Sequence, residues 1–216
     1  MPMVVDLVVI GTAITLGPLH NSGFILLLAS RRGVRKGLVF LLSWLANLVA
    51  VVACVVLLTG GTPPLHHSTP STAAVAGKLA IGVGLVLFGG YRLRRPPRPH
   101  RPPSWTARVD NASLGTAAAL AWLLQPWALV GAGAATVVDA DLSSVSDWLA
   151  LTGYCLLATL SLLVMELYTV WAAGAARTRL NALRTWLEHH QEQLIVTIAL
   201  LAGIWLTASS IYALVS

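Results

Sequence analysis

Thr15-Leu16-Gly17-Pro18-Leu19-His20-Asn21-Ser22 interrupts an otherwise apolar run over residues 4–29, and Trp122-Leu123-Leu124-Gln125-Pro126-Trp127 interrupts a second over 113–138. A proline inside a helix removes one backbone donor, and its ring displaces the carbonyl one turn earlier. In hydrocarbon, backbone groups freed in this way persist only where protein or a watery cavity covers them. Both runs are long enough to cross a bilayer, which takes about 20 mainly apolar residues. Paired interruptions in corresponding membrane helices point to a transporter binding site. The polar residues beside the two prolines, His20, Asn21 and Gln125, are therefore the first candidates for contact with a ligand.

Outward from these two runs the chain supplies four more of membrane length, at 37–59, 73–91, 148–173 and 193–214. Of its 216 residues, 56% are hydrophobic and 10% charged. About a quarter of a soluble domain is charged, so lipid is the natural solvent here. The predicted fold is an all-α integral membrane protein of six transmembrane helices in a single membrane domain over 1–216, with no soluble domain. The first run is expected to stay as a span, because Asp6 stands where a cleavable signal would carry Lys or Arg.

The charges orient these spans. Of the fourteen Lys and Arg, all but Lys78 fall in alternate loops, at 30–36, 92–108 and 174–192. The loop at 60–72 is uncharged, and the one at 139–147 holds Asp139, Asp141 and Asp147. Basic loops remain cytoplasmic, which predicts a multi-pass protein of the cytoplasmic (inner) membrane with N and C termini extracytoplasmic. The net charge of +6 then reflects orientation, and nucleic acid is not expected as a partner. Lys78 is expected to snorkel to the outer interface, and Asp6 to lie in that interface.

Cys54 and Cys155 fall in different spans and read as packing residues. His66-His67 lacks a third ligand. No P-loop, HExxH or CxxC occurs, so neither a cofactor nor a metal is expected, nor an enzyme activity.

Three spans before the basic linker and three after it enter the membrane in opposite directions, the arithmetic of two inverted three-helix repeats. The expected boundaries are repeat 1 at 1–91, an Arg/Pro-rich linker at 92–108 and repeat 2 at 109–216. Gly11-Thr12-Ala13 before the first proline matches Gly115-Thr116-Ala117 before the second. The proline density of the linker excludes helix and favours an extended chain. Its Arg92, Arg94, Arg95, Arg98 and Arg101 are candidates for anionic-lipid contact, at about 1 kcal/mol each near a charged leaflet. Leu180, Leu183, Trp186 and Leu187 share one helical face, predicting an interfacial helix continuous with or just before the sixth span. Ala73 and Gly77, then Gly82 and Gly84, and Gly131 with Ala135 and Gly133 between them, are small residues at intervals that let membrane helices approach closely.

Four polar side chains fall well inside the spans: His20, Asn47, Gln125 and Glu166. Such groups are costly in hydrocarbon and face a partner or a cavity. With Gly17, Pro18, Asn21 and Pro126 they make up the candidate substrate or ion pathway. Glu166 has three readings: it binds a cation, carries a proton, or pairs with His20. The alternative is structural: a helix-to-helix hydrogen bond by Asn47 or by a protonated Glu166.

The run Leu16-Gly17-Pro18-Leu19-His20, the small/basic stretch Leu28-Ala29-Ser30-Arg31-Arg32, and Gly37-Leu38-Val39-Phe40-Leu41-Leu42-Ser43-Trp44 together resemble the actinobacterial glycopeptidolipid- and sulfolipid-addressing proteins. So do Pro103-Ser104-Trp105, Asp110 and Ala112-Ser113-Leu114-Gly115 leading into the second broken helix. The chain has Gly17-Pro18 where that family has Ser-Pro, and Gln125-Pro126-Trp127 where it has Asn-Pro-Lys. The resemblance implies a lysine-exporter-like arrangement and assistance in moving an envelope lipid or glycolipid. Membrane lipids, envelope-lipid biosynthesis or export proteins, and a homo-oligomer are the partners it implies. The alternatives are a small-solute or amino-acid exporter and a non-catalytic membrane scaffold. A thiol-disulfide carrier would place Cys after the breaking proline, where this chain has Leu19 and Trp127.

Overall fold

The computed structural model describes residues 2–59, 72–94, 113–138 and 145–215. Among them the secondary structure is entirely helical: α1 (Pro2–Thr15), α2 (Pro18–Ala29), α3 (Gly33–Thr59), α4 (Thr72–Leu93), α5 (Leu114–Leu123), α6 (Trp127–Val138), α7 (Val145–Trp171) and α8 (Ala173–Val215). Helices α3, α4, α7 and α8 are each long and apolar enough to cross a membrane. The pairs α1/α2 and α5/α6 qualify as bent units, at 49° and 67°, so the crossings number up to six if each pair is one span. The outward faces carry large apolar side chains, Leu58 at 87% and Leu201 at 66% exposure among them. Apolar surface on this scale is not sustained by a soluble monomer.

Each bend follows from its proline. Gly17 sits before Pro18 with ψ of 121°, the extended conformation that a following proline imposes. Pro18 then opens α2, where its missing N–H costs nothing. At the second break Leu124 still donates to Leu120, and the chain restarts at Pro126, whose carbonyl accepts from Leu129 and Val130. Ser113 caps α5, its Oγ accepting from the Thr116 N–H at 3.1 Å. Between α2 and α3 the turn is tight: Arg32 has φ of 56°, and a side chain on Gly33 would run into the Leu28 carbonyl. That turn folds α3 back on α2, pairing Phe24 with Phe40 and His20 with Trp44.

Helices α4 and α8 lie antiparallel and unusually close. A Cβ on Gly82 would stand 2.8 Å from the Thr207 backbone nitrogen, and one on Gly203 2.9 Å from the Gly82 carbonyl. Further along, Gly89 faces Leu200, and Arg92 meets Glu192 at 3.0 Å. The expected contact through Gly77 is not formed, since nothing lies within 4 Å of its Cβ position. Gly84 is likewise free of contact; the expected contact is made through Gly82, four residues on from Lys78, which also points into the bundle. Elsewhere α1 packs on α7 and α6, α3 on α5, α6 and α7, α2 on α8 and α3, and α4 on α6.

The predicted interfacial helix is the first part of α8, continuous with the sixth apolar stretch. At 43 residues α8 runs for about 64 Å, twice the hydrocarbon thickness. Leu180 and Leu187 are buried, while Leu183 and Trp186 are exposed at 40% and 50%. Cys155 is buried and Cys54 exposed. The outer loop with His66 and His67, the acidic Asp139 and Asp141, and the linker positions Arg95, Arg98 and Arg101 lie outside the described residues.

Candidate functional site

The two breaks are each pinned by a helix from the other half of the chain. At the first, Asn21 donates its Nδ2 to the freed Thr15 carbonyl at 2.9 Å. Its Oδ1 accepts from Ser161 Oγ of α7, also at 2.9 Å. Thr15 Oγ1 donates to the Leu157 carbonyl of the same helix. At the second break, Gln125 Oε1 accepts from Asn47 Nδ2 of α3. The Ile14 carbonyl, which Pro18 deprives of its helical donor, accepts from the Gly17 N–H, and the next carbonyl, Thr15's, is satisfied by the Asn21 side chain, as apolar surroundings require.

Around these clasps lies a layer of buried polar atoms. His20 is 2% exposed and stacks on Trp44 with ring centroids 4.7 Å apart. Its imidazole also lies against Gly17, where a Cβ would stand 2.9 Å from Nδ1. His20 Nε2, Trp44 Nε1, Ser22 Oγ and Gln125 Nε2 have no hydrogen-bond partner among the described residues. Buried polar atoms in proteins are nearly always paired, so this cluster of unpaired ones is the candidate region for contact with a ligand or water. Gly17 serves by leaving space for the imidazole, Pro18 is buried, and Pro126 is half-buried.

Glu166 stands about 7–8 Å further along α7 from Ser161. It is 5% exposed, and neither carboxyl oxygen has a partner among the described residues. The expected pairing with His20 is not made: both side chains are unpartnered, and each faces a different turn of α3. Glu166 instead abuts Gly37 in the second turn of α3, where any Cβ would strike Oε2. The tip of Leu28 lies at the same Gly37 position, and Leu28 also lines a narrow crevice with Ala29, Thr169, Arg177 and Asn181.

Two expectations about charge are corrected. Asp6 and Lys78 are not interfacial or snorkelling; they form a buried ion pair of 2.7 Å with side chains 5% and 9% exposed. The second Asp6 oxygen accepts from Trp205 Nε1 at 2.9 Å. The reason is topological: α1 and α4 both pack on α6 and α8, so the long Lys78 side chain reaches Asp6 inside the bundle instead of turning to the headgroups. Arg92 is likewise committed, to Glu192, and of the linker arginines only Arg94 is both described and exposed. Among the described residues no three His, Cys, Asp or Glu gather as a metal group.

Two bent helix pairs, their breaks clasped crosswise and surrounded by unpaired polar atoms inside an apolar shell, define a multi-pass helical membrane protein with a buried polar layer. The chain belongs to the Sap, sulfolipid-1-addressing protein family, whose model matches residues 7–212. Membership suggests a role in addressing or exporting an envelope lipid. No curated protein and no solved structure matches the chain.

Proposed function

We propose that this protein assists the movement of an amphiphilic envelope lipid or glycolipid across the cytoplasmic membrane, as a transporter-like carrier without catalytic activity. Six spans form two inverted three-helix repeats of the lysine-exporter type, with both termini extracytoplasmic. The observation that carries this reading is the crosswise clasp: the break in α1/α2 is held by α7, and the break in α5/α6 by α3. Exchanging α1 with α5, α2 with α6, α3 with α7 and α4 with α8 turns each of these pairings into the other. It also exchanges α2 on α8 with α6 on α4, and leaves α4 on α8 unchanged. This pattern supports two repeats about a two-fold axis in the membrane plane, with the broken helices at their interface; among the described residues α2 on α3, α7 on α8 and α1 on α8 have no counterpart under the exchange.

A lipid carrier needs a polar route for the headgroup beside an apolar route for the chains. His20, Asn21, Asn47, Gln125 and Glu166 supply polar groups for the first, and the exposed apolar faces border the second. The chain has no ATP motif, so the driving force is an ion gradient, a partner protein or the lipid's own gradient. Glu166, buried with both oxygens unpaired, is the first candidate for carrying a proton.

The test is the lipid composition of the cell surface with and without the gene, complemented by the wild type, Glu166→Gln or Pro126→Ala. Loss of a surface lipid that only the wild type restores supports the carrier. Unchanged surface lipids with altered export of a basic amino acid would replace it with a small-solute exporter. No change in either would favour a scaffold.

A further inference from the structure

The Asp6–Lys78 pair is absorbed by neither the fold nor the polar layer at the breaks. A buried ion pair is weak as a source of stability, because desolvating both charges offsets their attraction. Its geometry is more informative. Two donors converge on one carboxylate, the Lys78 ammonium on one oxygen at 2.7 Å and the Trp205 indole N–H on the other at 2.9 Å. They come from α4 and α8, the two helices locked by glycine contact at Gly82 and Gly203. The acceptor comes from α1, the half-helix that ends at the first break and is joined to α2 through a 49° bend. The donors thus come from one tightly packed helix pair, and the anion from a different element that packs chiefly on α7 and α6. Trp205, which bonds Asp6 directly, is 39% exposed, so the pair lies one indole away from the outer surface.

We infer that Lys78 and Trp205 form a binding site for the oxyanion headgroup of an acidic amphiphile, with the Asp6 carboxylate filling that site until a ligand displaces it. An ammonium and a fixed N–H on adjacent oxygens suit any phosphate, sulfate or carboxylate, and charge-assisted bonds of this length are the strong ones. Separation of α1 from the α4/α8 frame exposes both donors, and an incoming oxyanion satisfies them as the carboxylate did. Retaining a desolvated ammonium in lipid without such an exchange partner has no structural benefit that an apolar pair would not supply. The inference rests on the lipid-carrier reading for its choice of an amphiphile; the oxyanion site itself does not.

The test is equilibrium binding to the purified full chain in neutral detergent. The probes are monodecyl phosphate, monodecyl sulfate, inorganic phosphate and decyl maltoside. Asp6→Ala removes the internal competitor and leaves room for a ligand, so it should bind both decyl oxyanions at least about ten-fold more tightly than the wild type. Adding Lys78→Met to Asp6→Ala should abolish that gain, and adding Trp205→Phe should reduce it several-fold. The site is overturned if Asp6→Ala binds no more tightly than the wild type. It is equally overturned if the gain survives Lys78→Met or extends to the maltoside. Inorganic phosphate gaining as much as decyl phosphate would support the oxyanion site while counting against a lipid as its ligand. Asp6→Ala leaves Lys78 buried without its partner, so the thermal midpoint provides a second measure. Decyl phosphate should raise the midpoint of Asp6→Asn by several degrees and leave Asp6→Asn/Lys78→Met unmoved. Equal shifts in the two would reject the site.

Discussion

Glu166 and Gly37 show how a single missing side chain sets the state of an ionisable one. The carboxylate occupies the space that any larger residue at position 37 would need. The obstruction is the far end of a rotatable side chain, with the tip of Leu28 as second neighbour, so neither is fixed backbone. Gly37→Ala should therefore push the carboxylate aside without disturbing α3, where Ala is also about 1 kcal/mol the better helix former. The expected result is a surface-lipid defect resembling that of Glu166→Gln, with helix content and thermal midpoint close to the wild type; a wild-type lipid profile would separate Glu166 from transport. Asn47 and Gln125 make the complementary case, a neutral clasp. A double-mutant cycle with Asn47→Leu and Gln125→Leu should give a coupling of about 0.6 kcal/mol, up to about 1.7, the range for hydrogen bonds between membrane helices. The residues of this layer were legible in the sequence wherever a strongly polar type stood inside an apolar run, as with His20, Asn47, Gln125 and Glu166. Thr15 and Ser161 were not, because hydroxyls are ordinary in helices and bond their own backbone. Asp6 and Lys78 were misread because they are 72 residues apart and each is near a span end, where a lone charge normally finds headgroups.

At the scale of elements, the prolines announce both breaks, and the turn at Arg31-Arg32-Gly33 follows from its basic and glycine residues. The bend angles of 49° and 67° were not readable, since proline permits a kink and the neighbouring helices choose its size. The small-residue contacts were legible only as a class. Spacing singles out Ala73, Gly77, Gly82 and Gly84; of these Gly82 makes the close contact while Gly77 and Gly84 meet nothing, and Gly89, which spacing does not single out, makes another, because the face that α4 presents is decided by α8 and by burial of Lys78. A comparison of glycines within α4 and α8 tests this. Gly203→Ala would place a methyl 2.9 Å from the Gly82 carbonyl and the Val86 nitrogen, which are backbone atoms in a packed helix. It should cost about 1–3 kcal/mol, the usual range for overpacking, and loosen α4 from α8. Gly77→Ala, with nothing within 4 Å, should be neutral or slightly stabilising. Unfolding midpoints of the two variants in the same detergent give the answer, and equal effects would mean that α4 and α8 are not held by close approach.

For the whole molecule, the orientation in the membrane is the claim with most consequence, because it decides from which side each site is reached. Lys78 and Trp205 meet at one end of the antiparallel α4/α8 pair, and Arg92 and Glu192 at the other. Fourteen residues of α4 separate the two levels, about 21 Å of helix, which sits within the hydrocarbon thickness. The crevice lined by Leu28 and Ala29 places Arg177 of α8 beside the end of α2, next to Arg31 and Arg32. The basic clusters of the 30–36 stretch and of the first part of α8 therefore share an end. Positive charge near span ends holds that end in the cytoplasm. The same end holds the crevice lined by Leu28, and the opposite end holds Asp6, Lys78 and Trp205. In the proposed orientation a cargo would pass from the Glu166 side, past the clasped breaks, to the proposed oxyanion site on the extracytoplasmic side. Paired reporters fused after Ser216 test the frame on which this sequence of sites depends. Alkaline phosphatase there should be active and a fluorescent protein dark, while the same fluorescent protein inserted between residues 95 and 112 should be bright. The reversed pattern would put the Lys78 site on the cytoplasmic side, where it would receive the headgroup at entry, and would turn the direction of the proposed route around.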